Sequence, residues 1–130
     1  MKLIDHQLFC DLWLSAWTGN EPEKLRQFYC DDAFYRDPSR PNGIRGAELL
    51  PYFKSLLFHN PDWQWKALEI IPTQKGFCLK WMATIPLGSA TIKEAGLDIV
   101  ELRDGKISRN EVYFDRTAIF LAAQAKQNLQ

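Results

Sequence analysis

The chain has 130 residues, a hydrophobic share of 46%, a charged share of 25% and a formal net charge of zero. This length suits one domain with a single core, and the composition excludes general disorder. The sixteen lysines and arginines form no dense run, which argues against a nucleic-acid partner. No apolar stretch reaches the roughly 18 residues that span a bilayer, so a membrane partner is not expected either.

The cysteines and histidines predict neither a disulfide framework nor a metal site. Cys10, Cys30 and Cys78 are widely spaced among apolar neighbours, and His6 and His59 lie far apart with no cysteine or carboxylate at ligand spacing. We therefore expect buried free thiols, no metal and no cofactor. The N-terminus carries charges where a signal peptide would be apolar, so we expect a cytoplasmic protein.

Two helices are predicted at the start of the chain. Apolar residues from Phe9 to Trp17 recur at helical spacing, and Gly19-Asn20 ends this first helix. Asn20 and Glu23 have the spacing of a capping box, which predicts a short second helix that extends to Tyr29.

A short strand, a loop and a third helix are predicted next. Residues 33–37 form the strand, because Pro38 pushes the residue before it into an extended conformation. Residues 39–46 are rich in proline, glycine and arginine and predict a loop. Apolar residues at helical spacing over 49–57 then predict the third helix.

The second half of the chain predicts four strands and a last helix. The strands are rich in aromatic and β-branched residues, and turn segments that contain glycine separate them. They cover residues 63–72, 77–86, 90–103 and 106–115, and an alanine-rich helix is predicted over 116–126. Helices followed by long, hairpin-linked strands indicate the α+β class, with a curved antiparallel sheet around an apolar pocket.

Three carboxylates adjoin or alternate with apolar residues and are candidates for the chemistry of this pocket. Asp37 follows Phe34-Tyr35, Asp98 shares a strand face with Val100, and Asp115 ends the last strand. A carboxyl group that faces an apolar cavity loses solvation, so its pKa rises. It then acts as a base near neutral pH or as a neutral hydrogen-bond donor.

Each of these carboxylates also has an ordinary structural interpretation. Asp37 before a proline is a common turn cap, and Asp98 faces solvent or a subunit interface if the register shifts by one residue. Asp115 is a good N-cap for the last helix, which is the interpretation that we favour for it. The five tryptophans are generous for packing alone in so small a chain, and indoles suit a flat apolar ligand.

Several short motifs follow one another in a familiar order. They are residues 28–38, Ile44-Arg45-Gly46 before a helix, residues 97–102, residues 104–107, and Tyr113-Phe114-Asp115. Together they resemble the nuclear transport factor 2-like superfamily, and within it the SnoaL-like polyketide cyclases and the ketosteroid isomerases. The resemblance covers nearly the whole chain and implies a single domain over residues 1–130. Its fold would be a cone in which a curved antiparallel sheet wraps around N-terminal helices.

Residue by residue, the resemblance implies a site. Asp37 matches the general base of the ketosteroid isomerases, and Asp98 matches their protonated acid that hydrogen-bonds the developing oxyanion. Trp13 lies where those enzymes have the oxyanion tyrosine, and its indole N–H is a different donor in size and acidity. Tyr29 matches a tyrosine near the pocket, and Asp115 matches the general base of the cyclases.

We therefore expect Asp37 and Asp98 to be catalytic in a cofactor-free isomerase or cyclase that moves a proton next to a carbonyl group. The expected binding residues for a small, flat, mostly apolar molecule are Trp13, Trp17, Tyr29, Phe53, Val100, Phe114 and Asp115. The alternatives are a non-catalytic ligand-binding pocket and a protein-interaction module of the same fold. In this superfamily the outer face of the sheet commonly pairs two subunits, so the resemblance also implies a homodimer.

Overall fold

The computed structural model describes residues 3–128 and the side chains of residues 6–124. The helices are α1 (Leu3–Thr18), α2 (Pro22–Arg26), α3 (Leu49–His59) and α4 (Thr117–Asn128), with a single 3-10 turn (Gly46–Glu48) before α3. The strands are β1 (Tyr29–Asp37), β2 (Arg40–Arg45), β3 (Gln64–Pro72), β4 (Gly76–Leu87), β5 (Ala90–Arg103) and β6 (Lys106–Tyr113). Within the described range, no helix is long and apolar enough to cross a membrane.

The six strands form one curved sheet in the order β2-β1-β6-β5-β4-β3. Neighbouring strands are antiparallel except β1 and β6, which run parallel. Parallel strands need a long connection, and here α3 and four strands lie between the two in the chain. The predicted α+β class with a curved, largely antiparallel sheet is confirmed, and β1 and β6 form its one parallel pair among the described residues.

Alternation along β4 shows which face of the sheet is the inner one. Phe77, Trp81 and Ile85 are buried, whereas Lys80 between them is exposed. Because side chains of a strand point alternately to opposite faces, the odd-numbered residues of β4 form the inner face. Helix α1 packs on this face, where the ring centroids of Phe9 and Phe77 lie 6.0 Å apart. The core therefore lies between the helices and the inner face.

The four strands predicted in the second half are confirmed to within two residues at each end. The first half departs more from prediction. The segment predicted as a loop contains β2, which forms a hairpin with β1 by pairing Ile44 with Tyr35 and Arg40 with Asp37. An edge strand tolerates proline and glycine, whereas the same residues usually indicate a loop, so the local sequence did not predict β2.

The second helix is shorter than predicted, and the prediction of a capping box at its start is wrong. It ends at Arg26, and Tyr29 already begins β1. The Arg26 guanidinium donates to the carbonyl oxygens of Tyr29 and Cys30, which helps to end the helix. Asn20 adopts a positive φ of 57°, and its side chain donates to the carbonyl of Leu57 at 2.7 Å instead of capping the helix. Its amide thus links the α1–α2 turn to α3.

We predict that Gly96→Ala destabilises the fold by about 1–3 kcal/mol. Gly96 pairs with Trp81 across β5 and β4, and a β-carbon at residue 96 would lie 2.2 Å from the indole ring. Urea denaturation measures the loss. The control is the same substitution in a Trp81→Leu background, which removes the ring and should remove most of the penalty. An equal loss in both backgrounds would show that the indole is not its cause.

Candidate functional site

A cavity of about 230 Å³ lies between the inner face of the sheet and helices α1, α3 and α4. Its aromatic wall residues are Trp17, Tyr35, Trp63, Trp65, Trp81 and Phe114. Phe120 of α4 also contributes and is 58% exposed, which places it at the mouth. The charged wall residues are Asp37, Glu94, Asp98 and Arg116. Four of the five tryptophans of the chain thus line this cavity, which suits a flat apolar ligand.

Asp37 ends β1 and accepts hydrogen bonds from four donors. Its Oδ1 accepts from the backbone N–H groups of Ser39 (2.8 Å) and Arg40 (3.0 Å). Its Oδ2 accepts from the hydroxyls of Tyr35 (2.8 Å) and Tyr52 (2.5 Å). A carboxylate offers about four lone-pair sites, so every site is occupied. Asp37 therefore caps the β1–β2 turn and faces the cavity at the same time.

The two tyrosines that bind Asp37 keep their protons. Burial, followed by the neighbouring Asp37 carboxylate, raises the pKa of Tyr35 well above its usual value. Burial and the hydrogen bond to Asp37 raise the pKa of Tyr52 in the same way. Both hydroxyls therefore donate to Asp37 throughout the neutral range, and they keep its Oδ2 occupied.

Asp98 lies on the inner face of β5, where it is 5% exposed and lines the cavity. The register pairs it with Leu79 on β4 and Val112 on β6, and the Trp81 indole N–H donates to its Oδ1 at 3.0 Å. Burial raises the pKa of Asp98 to about 7, against the opposing effect of hydrogen bonds from Trp81 and Asn110. Asp98 is thus present in both protonation states near neutral pH.

Behind Asp98, a buried pair of side chains fixes the wall of the cavity. The Tyr29 hydroxyl donates to Asn110 Oδ1 at 2.8 Å, and both residues are almost fully buried. Burial, and next the charge of Asp98, raises the pKa of Tyr29 well above its usual value. The Trp13 indole lies near this hydroxyl, but among the described residues no acceptor meets its Nε1 in hydrogen-bond geometry. Trp13 therefore adds no well-aligned hydrogen bond to the Tyr29–Asn110 pair.

The structure separates the site residues predicted from sequence into three groups. The residues that line the cavity are Asp37, Asp98, Trp17 and Phe114. The residues that are buried in the core around it, outside its lining, are Trp13, Tyr29, Phe53 and Val100. Asp115 lies outside the cavity wall, and its Oδ1 accepts from the Thr117 backbone N–H (2.9 Å) and hydroxyl (2.6 Å). These bonds to Thr117 lower the pKa of Asp115, as expected of a carboxylate that caps the start of α4.

Sequence reasoning missed several residues of the site. Tyr35 could have been found, because it lies two residues before Asp37 and therefore on the same strand face. Trp81 could have been found once the inner face of β4 was known. Tyr52, Glu94 and Arg116 reach the site only through the packing of helices and strands that are distant in sequence. Within the described residues, no group of three His, Cys, Asp or Glu side chains is placed to hold a metal ion.

Solved structures of other proteins share this fold at low sequence identity. AclR, a proposed hydroxylase from Streptomyces galilaeus, has a TM-score of 0.78 and 13% identity, over 95% of this chain and 98% of that one. A hypothetical protein with a ketosteroid isomerase-like fold from Catenulispora acidiphila, in complex with trimethylamine, has a TM-score of 0.77 and 13% identity, over 89% and 92%. A proposed SnoaL-like polyketide cyclase from Jannaschia sp. CCS1 has a TM-score of 0.77 and 13% identity, over 94% and 93%. At these identities the likeness shows the fold alone.

A family model gives a closer assignment. No curated protein sequence matches the chain significantly. The model of the SnoaL-like domain, however, matches residues 11–110, a range that contains Asp37, Asp98 and most of the cavity wall. The resemblance seen in the sequence motifs is thereby confirmed, and the chain belongs to the SnoaL-like domain family.

Proposed function

We propose that this protein is a cytoplasmic, cofactor-free isomerase or cyclase that moves a proton at a carbon next to a carbonyl group. Its substrate would be a small, flat, largely apolar molecule held in the cavity. One observation carries the proposal: a buried carboxyl group, Asp98, lines an aromatic cavity and has its pKa raised to about 7 by burial. A general base or acid is most effective when its pKa lies near the working pH.

The two aspartates suit different roles from those that the resemblance implies. The resemblance gives the role of base to Asp37, but its four donors leave no lone pair for a substrate proton. Asp98 accepts from Trp81 on one oxygen, and its acidity suits proton transfer. We therefore assign the transferred proton to Asp98 and a fixed negative charge to Asp37.

The chemical step needs only one carboxyl group. Ionised Asp98 removes the proton from the carbon next to the carbonyl, and the electrons of the C–H bond form an enolate. Protonated Asp98 then returns the same proton to another carbon of the conjugated system. The substrate is thereby isomerised, Asp98 is regenerated, and no oxidant or reductant is consumed.

A non-catalytic binding pocket is the second candidate function. It is favoured by Trp13, which the resemblance aligns with the oxyanion tyrosine of the isomerases but which stands outside the lining of the cavity. Such a protein would retain its ligand unchanged. Its affinity would depend on the aromatic wall and would not require a proton on Asp98.

A homodimer is the partner arrangement that we propose. The outer face of the sheet carries exposed apolar side chains on three strands, namely Ile71, Leu97 and Tyr113. Leu97 pairs directly with Tyr113 in the register of β5 and β6, so the two form a continuous patch. Apolar surface of this kind is stabilised when a second copy covers it.

The acidity of Asp98 can be checked without a substrate. Its pKa is about 7 in the folded protein and 3.8 in the unfolded chain, so the folded state binds the proton more tightly. Its favourable contribution is present below pH 3.8 and is lost as pH rises to about 7. We expect Asp98→Asn to gain stability relative to the wild type over that window, by about 1.4 kcal/mol per pH unit at most.

Chemical denaturation at a series of pH values measures this difference. Asp31→Asn is the matched control, because Asp31 is an exposed carboxylate on β1 outside the cavity. A constant difference between Asp98→Asn and the wild type across the window would contradict the assigned acidity.

We predict that Asp98→Asn lowers proton transfer by about 100-fold or more, because the amide cannot accept the substrate proton. The measurement is proton–deuterium exchange in heavy water, followed by nuclear magnetic resonance on a panel of cyclic enones and polyketide-like ketones. Asp31→Asn serves again as the control and should retain wild-type rates. Full exchange activity in Asp98→Asn would exclude the proposed role. A molecule that co-purifies with the wild type, as seen by native mass spectrometry, and is never converted would favour the non-catalytic pocket.

We predict that Leu97→Glu converts the dimer into a monomer, since the interface would then bury an unpaired charge. Sedimentation velocity gives the mass of both forms. Leu8→Glu is the matched control, because Leu8 is 61% exposed on α1, away from the sheet. A wild-type protein that sediments as a monomer at all concentrations would refute the interface.

A further inference from the structure

We infer that the ligand of the cavity is an organic cation, namely a protonated amine or quaternary ammonium group joined to an apolar body. The inference rests on the proposed function for the identity of the cavity as the binding site, and it adds the chemical class of the ligand. It is carried by two independent features of the wall, its unpaired carboxylates and its inclined aromatic rings.

The first feature is an excess of negative charge. In residues 6–124, three acidic side chains, those of Asp37, Glu94 and Asp98, share the wall with one guanidinium group, and Asp98 is charged in part of the molecules near neutral pH. In residues 6–124, no lysine or arginine nitrogen lies within 4.0 Å of any of these three carboxylates. Buried charges in proteins are normally paired, because an uncompensated charge is costly in a medium of low dielectric constant. The missing counter-charge can come from the ligand.

The arginines near the site are engaged with other groups. Arg116 donates to Ser39 Oγ at 3.1 Å and lies over the ring of Phe120 at the mouth. Arg40 donates to the Ser39 carbonyl at 3.1 Å, and its guanidinium lies over the ring of Tyr52. Neither side chain forms an ion pair with Asp37. Arg116 therefore lies at the mouth, and Arg40 lies outside the lining of the cavity.

The donors that hold Asp37 do not remove its charge. Two hydroxyls and two backbone N–H groups are neutral, so they stabilise the anion by hydrogen bonds and leave a full negative charge at the wall. Asp37 is only 5% exposed, and water screens it weakly. A cation in the cavity would feel this charge at a low effective dielectric constant.

The second feature is the arrangement of aromatic rings. Trp17 and Trp65 have centroids 5.6 Å apart at an angle of 53°, and Trp63 and Trp65 lie 5.9 Å apart at 46°. Trp81 and Phe114, which also line the cavity, lie 5.6 Å apart at 65°. Inclined rings form corners that surround a compact group on several sides. The negative faces of aromatic rings, and of tryptophan above all, attract alkylammonium groups.

Other ligand classes fit the wall less well. An anion would meet the acidic side chains of the wall, and among residues 6–124 the wall offers it one cationic group, Arg116 at the mouth. A neutral apolar molecule would fill the cavity but leave Asp37 without a counter-charge after water is displaced. A cation with an apolar body would supply a counter-charge to the carboxylates and would also bind against the faces of the aromatic rings.

The test compares two molecules of nearly the same shape that differ in charge. The cation is (4-hydroxyphenyl)trimethylammonium, and its neutral counterpart is 4-tert-butylphenol. Isothermal titration calorimetry measures both against the wild-type protein in the same buffer. We expect the cation to bind at least about tenfold more tightly than the neutral molecule.

Two variants locate the source of the preference. Asp37→Asn should lower affinity for the cation by about tenfold and leave the neutral molecule within about twofold. Glu94→Gln, at a half-buried position of the wall, should cause a smaller loss of the same kind and remains informative if Asp37→Asn does not fold. Asp31→Asn is the control and should change neither affinity.

The possible outcomes are distinct. Equal or tighter binding of the neutral molecule by the wild type would overturn the cation inference and leave the proposed function standing. A preference for the cation that survives in Asp37→Asn and in Glu94→Gln would also overturn it, because the wall carboxylates would not be its source. Failure of both molecules to bind would count against the cation inference and against the cavity as a binding site.

Discussion

The carboxylate of Asp37 and its four donors hold together the part of the fold from which the cavity is built. The donors come from β1 itself, from the turn into β2 and from α3, so one buried group joins three elements. A hydrogen bond to a charged group contributes about 1.5–3 kcal/mol, and loss of a donor leaves a buried anion less well solvated. The position of α3 over the sheet therefore depends in part on the hydrogen bond from the Tyr52 hydroxyl to Asp37.

The two aspartates of the cavity differ in the number of hydrogen-bond donors around their carboxyl groups. Asp37 has four, whereas the inner face of β5 offers Asp98 the indole N–H of Trp81 and the nearby amide of Asn110. Burial therefore dominates at Asp98 and raises its pKa to about 7, and the negative charge of Asp37 adds to this effect. Two carboxyl groups with different environments suit different tasks, one as a fixed anion and the other as a group that exchanges a proton.

Local sequence patterns predicted the helices and strands whose signals lie within the segment itself. Alternation along β4 and β5 predicted the strands and placed Asp98 on a face with Val100, and Gly19-Asn20 correctly marked the end of α1. Such patterns could not predict contacts between segments that are distant in the sequence. Tyr52 reaches Asp37 only after α3 packs on the sheet, and β1 pairs with β6 across most of the chain. The strand β2 was concealed because an edge position tolerates the proline and glycine that usually indicate a loop.

The charge of the cavity and the acidity of Asp98 are coupled, and the coupling gives the two proposals a common physical basis. An opposite charge within a few ångströms favours the ionised form of a carboxyl group. A cationic ligand would therefore lower the pKa of Asp98 from about 7 and increase the share of the protein in which Asp98 is a base. By linkage, the ionised form would bind the cation more tightly than the protonated form. A substrate of this class would thus help to prepare the base that acts on it, whereas a neutral substrate would leave the protonation of Asp98 to the solvent.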